Sequence, residues 1–179
     1  MRHADAYGKG SHTAETTCLS DACERALSVD QIALGSQSEA EDAYDRLLRA
    51  KNQGALDCAG SGVFDGWHWW RGASRVVWLP PHGNVVYKIG HLGNDENMHE
   101  AENMHRWRQD GRSWAPRTQS YRVGGHEVLA MPYSPEAIDS ADEIPPDARY
   151  TVPDQSIQNF RRRQDGLVMV IDAGDPAPY

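Results

Sequence analysis

Apolar residues first recur at helical spacing between residues 39 and 51. The stripe follows the i, i+3, i+4, i+7, i+8 pattern of an amphipathic helix and consists of Ala40, Ala43, Tyr44, Leu47 and Leu48. Ser38 and Glu41 have the spacing of a capping box, and Gly54 follows as a C-terminal stop. This stretch therefore predicts a helix that packs its apolar side against a core.

After this helix the pattern changes to glycine, tryptophan and β-branched residues. Two short apolar runs, Arg75–Leu79 and 85–89, flank a Pro-Pro-His-Gly-Asn turn and predict a hairpin. A second hairpin is predicted at 118–123 and 126–131, around two adjacent glycines. The stretch 94–109 between them has apolar residues at helical spacing. The pattern predicts an antiparallel sheet with one helix inserted between its hairpins.

The last apolar run, 167–171, follows a Gln-Asp-Gly turn and a polar arm at 159–163, which predicts a two-stranded ribbon. The ribbon is expected to hold Asp154, Asn159 and Asp172 close together. Carboxylate and amide oxygens are the hard ligands that Mg²⁺ prefers. This segment is therefore expected to present oxygens of the kind that bind Mg²⁺.

Charge and cysteine content exclude several classes of protein. The chain of 179 residues carries a net charge of −8, which argues against a general nucleic-acid binder or a cationic membrane binder. Its longest apolar run, 167–171, is too short to span a membrane. Cys18, Cys23 and Cys58 are odd in number and match no zinc spacing, which favours a reducing cytoplasm. The basic cluster at 161–163 is either a charged, solvent-facing edge strand or a group that binds phosphate.

Five features in chain order carry a family resemblance. They are a lysine in an apolar strand, a glutamate in the next helix, a strand ending in Met-Pro-Tyr, an Asp-x-x-x-x-Asn loop and a strand followed by Asp-x-Gly. Together they resemble the protein kinase-like superfamily and are similar to small phage-encoded kinase-like proteins. The resemblance covers about residues 60–175.

The resemblance implies a site for ATP. The nucleotide-binding residues that it implies are Lys88, Glu100, Gly72, Met131 and Tyr133. Lys88 would bind the phosphates and Glu100 would orient it, with Glu102 as the alternative partner. For an apolar strand taken by itself, a lysine that simply points to solvent remains the other interpretation.

The resemblance also implies roles for the loop residues. Asp154 would accept or orient the proton of an attacking hydroxyl, while Asn159 and Asp172 would hold Mg²⁺. Asp154 and Lys88 are thus the predicted catalytic residues. The phosphate acceptor would be a hydroxyl of a protein or of a small molecule.

The predicted fold class is α+β and kinase-like. Residues 1–59 form a flexible arm and a helical extension, 60–133 an antiparallel N-lobe sheet with one αC-type helix, and 134–179 a much reduced C-lobe. The stretch 134–153 is acidic and rich in proline, without a helical stripe. The apolar ribbon strand needs a cover, which is expected from the N-terminal helices, at 18–34 and 39–51, or from a second copy in a homodimer.

The predicted function is an ATP- and Mg²⁺-dependent phosphotransferase located in the cytoplasm. One alternative is a catalytically inactive pseudokinase that senses nucleotide or binds a partner. Another is a structural or partner-binding protein whose working surface is the tryptophan-rich stretch 67–78.

Overall fold

The computed structural model describes residues 34–56, 60–91 and 93–172. The chain divides into two compact units, 1–32 and 33–179, and the described residues all belong to the second. The predicted arm, nearly all of the weaker helix at 18–34 and the three cysteines lie outside the described residues. The described part is α+β, as predicted, and none of its helices is both long and apolar enough to cross a membrane.

Six antiparallel strands form the main sheet, in the order β1-β2-β3-β4-β6-β5. The strands are β1 (Gly60–Phe64), β2 (Trp67–Arg71), β3 (Arg75–Leu79), β4 (Val85–Gly90), β5 (Gln119–Val123) and β6 (His126–Pro132). Both predicted hairpins are confirmed, with boundaries within one residue. The sequence pattern did not resolve β1 and β2 as strands, because their glycines and alternating tryptophans lack a continuous apolar run.

Helix α1 (Gln37–Asn52) packs on one face of this sheet and confirms the predicted packing helix. Its buried side chains, Ala40, Ala43, Leu47 and Ala50, share a core cluster with Trp78, Tyr87, Ile89 and Val128. The predicted capping box is wrong, because the helix begins two residues earlier than expected. Ser36 is the N-cap and accepts from the Glu39 backbone N–H at 3.2 Å, so Ser38 lies inside the helix.

Helix α2 (Glu96–Gln109) belongs to the opposite face of the sheet. Its Met104 and Trp107 join Val86 and Met131 in a second core cluster. Successive side chains of a strand point to opposite faces, so β3 and β4 contribute alternately to the two clusters. Lys88 lies directly opposite Val77 and therefore on the α2 face.

The C-terminal ribbon is confirmed, with β7 (Phe160–Arg162) antiparallel to β8 (Val168–Val170). Its apolar side is covered within the second cluster by residues including Trp114, Ile144 and Val152. The expectation was that the N-terminal helices pack near the sheet or the ribbon and so provide this cover. Helix α1 does pack on the sheet, but its buried residues belong to the other cluster and do not cover the ribbon. The stretch 134–153 also contains more helix than predicted, namely a 3₁₀ turn at Ala141–Glu143 and helix α3 (Pro146–Thr151).

Candidate functional site

A buried ion pair links the sheet to helix α2. Lys88 Nζ donates to Glu100 Oε1 at 2.8 Å, and the residues are only 4% and 0% exposed. Glu102, the alternative partner, has an exposed side chain. Strand β4 therefore directs Lys88 into the protein and away from solvent, as the pairing hypothesis requires.

Arg75 is a member of this site that the sequence analysis missed. Its Nη1 donates to Glu100 Oε2 at 2.5 Å, and its Nη2 donates to Asp172 Oδ1. The side chain is almost fully buried at the start of β3. Burial by itself lowers the pKa of the guanidinium, but the charges of Glu100 and Asp172 outweigh it and raise the pKa above its ordinary value. Arg75 thus bridges two carboxylates from distant parts of the chain.

Asn97 fixes the position of helix α2 against the sheet. Its buried side-chain amide donates to the Lys88 carbonyl in β4 and to the Glu127 carbonyl in β6, both at 2.8 Å. Its Oδ1 accepts from Arg75 at 3.3 Å. Because one amide joins two strands and the arginine, the spacing between β4 and α2 is held by directional bonds as well as by packing.

The structure brings Asp154, Asn159 and Asp172 together beside this charged cluster. Asn159 Nδ2 donates to the Asp154 carbonyl at 3.4 Å, and the Asn159 carbonyl accepts from the Ile171 N–H at 2.7 Å. Lys88 Nζ also donates to the Ile171 carbonyl. The backbone on either side of the ribbon is thus tied directly to the lysine.

Asp154 is ionised in this setting. Hydrogen bonds from Ser156, including its backbone N–H at 3.0 Å, lower the pKa of the Asp154 carboxyl, and the Asn159 amide adds to this effect. The negative charge of Asp172 opposes the shift without reversing it. The result is an exposed carboxylate that accepts hydrogen bonds beside the charged cluster.

One of the two predicted magnesium ligands is paired with a cation of the protein. Asp172 Oδ1 accepts from Arg75, which also pairs with Glu100. The side-chain hydrogen bond of Asn159 is made by its Nδ2, which donates to the Asp154 carbonyl, and not by the oxygen that a metal would bind. No cluster of three His, Cys, Asp or Glu side chains that could hold a metal occurs within the described ranges. In this arrangement the donor set does not fit a magnesium ion, and metal binding at Asn159 and Asp172 stays a prediction.

An aromatic and apolar surface adjoins the charged cluster. Trp70 lies opposite Val77, which lies opposite Lys88, so the three side chains share one face. The rings of Trp70 and Tyr133 are 6.0 Å apart, although β3 and β4 separate β2 from β6. Neighbouring strands are about 4.8 Å apart, so these two side chains reach toward each other across the face that carries Val77.

The remaining predicted nucleotide contacts have mixed placements. Gly72 closes the turn before β3, where its N–H donates to the Arg75 carbonyl at 3.0 Å. Met131 is fully buried opposite Val86. The backbone N–H of Tyr133 donates to the Asn84 carbonyl at 2.7 Å, so this group is already used in a hydrogen bond within the protein.

The basic cluster at 161–163 is used for structural ion pairs. Arg162 pairs with Glu136 at 2.9 Å and with Glu143, and Arg163 pairs with Asp165 at 2.8 Å. The contacts of Arg162 fasten the ribbon to the stretch before it, whereas the Arg163 pair lies within the turn of the ribbon. Of the two interpretations left open by the sequence, the arrangement of these side chains supports neither a free charged edge nor a phosphate-binding group.

Comparisons with protein families and with curated proteins do not identify a family for this chain. No family model matches the chain, and no curated protein matches it significantly. The kinase-like resemblance therefore stays a prediction. The residues that bear on function are Lys88, Arg75 and their carboxylate partners.

Proposed function

We propose that the charged cluster between β3, β4 and helix α2 binds a nucleoside triphosphate such as ATP. The observation that carries this proposal is the buried cationic pair, in which Lys88 and Arg75 share the two oxygens of Glu100. Buried ion pairs are often no more stabilising than apolar residues of similar size. Two buried cations held side by side are therefore better explained by an anionic ligand than by stability.

The neighbouring apolar surface suits the base of the same ligand. Trp70 is partly exposed, and Val77, Tyr133 and Ile171 are partly buried against the second core cluster. Small-molecule sites commonly combine an apolar wall with a few convergent polar groups. A purine stacked near Trp70 and Tyr133 would direct its phosphates toward Lys88 and Arg75.

Phosphate transfer to a hydroxyl is the second candidate function. It is favoured by the ionised Asp154, which lies beside Asn159 and close enough to Asp172 for their charges to interact. Asp154 would take the proton of the acceptor hydroxyl, while Lys88 and Arg75 would stabilise charge on the phosphoryl oxygens. The acceptor would be a protein or a small molecule.

A partner-binding role for the tryptophan-rich stretch has less support. Three of its four tryptophans, Trp67, Trp69 and Trp78, are buried in the core beneath helix α1. Trp70 is the partly exposed one, and it lies on the face of the proposed nucleotide site. The tryptophans thus serve mainly to build the sheet.

The two candidate functions are separated by adding labelled ATP and following both binding and transfer. A nucleotide at a hundredfold excess over its Kd stabilises the native state by about 2.7 kcal/mol, which is measured as a rise in Tm. A rise with ATP, and none with adenosine or inorganic phosphate, supports binding of the whole nucleotide. Transfer of the γ-phosphate by wild type but not by Asp154→Asn supports the phosphotransferase. Equal labelling by both proteins points to a contaminating kinase.

A further inference from the structure

We propose that Arg75 takes the place of a divalent metal ion at Asp172, so that this site binds nucleotide phosphates without magnesium. The inference rests on the proposed function, because it names the group that neutralises the phosphates. It concerns a residue for which the kinase-like resemblance implies no such role.

The contacts of Arg75 place a fixed positive charge where a metal would be needed. The guanidinium joins Glu100, Asn97 and Asp172, which come from α2 and from the segment after β8. It enters from β3, and a guanidinium remains protonated throughout the accessible pH range. A divalent cation approaching Asp172 would be repelled by this charge at close range or would have to displace it.

The same guanidinium retains capacity for a phosphate. Arginine has five N–H donors, and three of its hydrogen bonds go to Asn97, Glu100 and Asp172. The Nε–H and one Nη2–H lie outside these three contacts. The Asp172 side chain is 45% exposed, so it can turn toward solvent and allow a phosphate oxygen to approach Arg75. Arginine binds phosphate through paired, directional N–H groups, which makes it a suitable substitute for a metal here.

Titration of ATP in buffer with excess chelator, and again with magnesium, tests this directly. For wild type we expect the Kd to change less than about threefold between the two buffers. Arg75→Gln should weaken binding in chelator by about tenfold, which corresponds to about 1.4 kcal/mol, and magnesium should restore part of the loss. Arg71→Gln is the matched control, because Arg71 lies opposite Val76 on the other face of the sheet. Loss of wild-type binding in chelator, with Arg75→Gln unchanged, would overturn the proposal.

A second measurement needs no nucleotide and separates this inference from the proposed function. Titration with Mn²⁺, followed by electron paramagnetic resonance, should show weak binding by wild type and at least about tenfold tighter binding by Arg75→Gln. The gain should vanish in the double variant Arg75→Gln/Asp172→Asn. If Arg75→Gln gains no Mn²⁺ affinity, Arg75 does not occupy a metal's place, whatever the nucleotide does.

The remaining outcomes are also assigned. If no protein binds ATP in either buffer but Mn²⁺ binding behaves as expected, the proposed function fails and the exchange between Arg75 and a metal stands. If Arg75→Gln does not fold, Arg75→Lys replaces it, since a lysine ammonium keeps a charge beside Glu100 but lacks the planar set of N–H groups with which arginine joins Asp172 to Glu100. This variant should also gain Mn²⁺ affinity, and an unchanged affinity would contradict the inference.

Discussion

Lys88 Nζ lies 2.8 Å from Glu100 Oε1, where strand β4 faces helix α2, and neither residue is more than 4% exposed. The second oxygen of the same carboxylate accepts from Arg75 at 2.5 Å. One buried negative charge therefore holds two buried positive charges. If either cation is removed, the other remains paired with Glu100. If the Glu100 carboxylate is removed, Lys88 and Arg75 both lose this partner.

Glu100→Gln should therefore destabilise the protein strongly. Loss of one partner from a buried ion pair typically costs about 3–5 kcal/mol, because the remaining charge is left buried. The measurement is the free energy of unfolding in urea. Glu102→Gln, on the exposed side of the same helix, should stay within about 0.5 kcal/mol of wild type. Equal effects of the two substitutions would show that Glu100 does not hold the cations as described.

Two adjacent leucines test the packing of helix α1. Leu47 is 2% exposed and belongs to the core cluster with Trp78 and Tyr87, whereas Leu48 is 42% exposed. Leu47→Ala should cost about 2–5 kcal/mol, since it removes buried apolar surface and leaves a cavity. Leu48→Ala should cost far less. A comparable loss of unfolding free energy for both variants would contradict the packing of α1 on the sheet.

Asp147 should make stability depend on pH in the acid range. Trp114 Nε1 donates to its carboxylate at 2.9 Å, and Arg112 pairs with it at the same distance. The hydrogen bond from Trp114, and then Arg112, lower the pKa of Asp147 against the opposing effect of burial. Because the folded pKa is depressed, this stabilisation is complete above the unfolded pKa of about 3.9 and is lost as the pH falls through the folded value.

The measurement is Tm between about pH 2 and pH 6, the range that contains this transition. Asp147→Asn should lower Tm above pH 4 and flatten the acid loss relative to wild type. Asp142→Asn is the control, because the Asp142 side chain is 95% exposed. A wild-type acid profile in Asp147→Asn would show that this carboxylate contributes no linked stability.

The charged pair was predictable because local spacing determines it. An apolar strand with one lysine, followed by a helix whose Glu100 precedes Met104 and Trp107 on the same side, places both groups toward one core. Arg75 was predictable by the same alternation. It lies two residues before Val77, which faces Lys88, so it shares the lysine's face.

Other parts of the structure depend on contacts that sequence pattern does not carry. The N-cap is Ser36 and not the predicted Ser38, because either serine hydroxyl could accept a hydrogen bond from the first turn of the helix. Helix α3 begins at Pro146 and has only six residues, so it is too short to show an apolar stripe in the sequence. The ribbon is covered by Trp114, Ile144 and Val152. These residues reach the ribbon only through tertiary packing, which a local sequence pattern does not show.

Isothermal titration of ATP into wild type, Lys88→Met and Lys51→Met tests the proposed nucleotide site most directly. Lys88→Met leaves Glu100 paired with Arg75, so the fold should persist, whereas Lys51 lies at the exposed end of α1. We expect wild type and Lys51→Met to bind ATP with equal affinity and Lys88→Met to bind at least about tenfold more weakly. Absence of binding by wild type, or equal binding by all three proteins, would contradict the proposal that the charged cluster around Lys88 binds nucleotide.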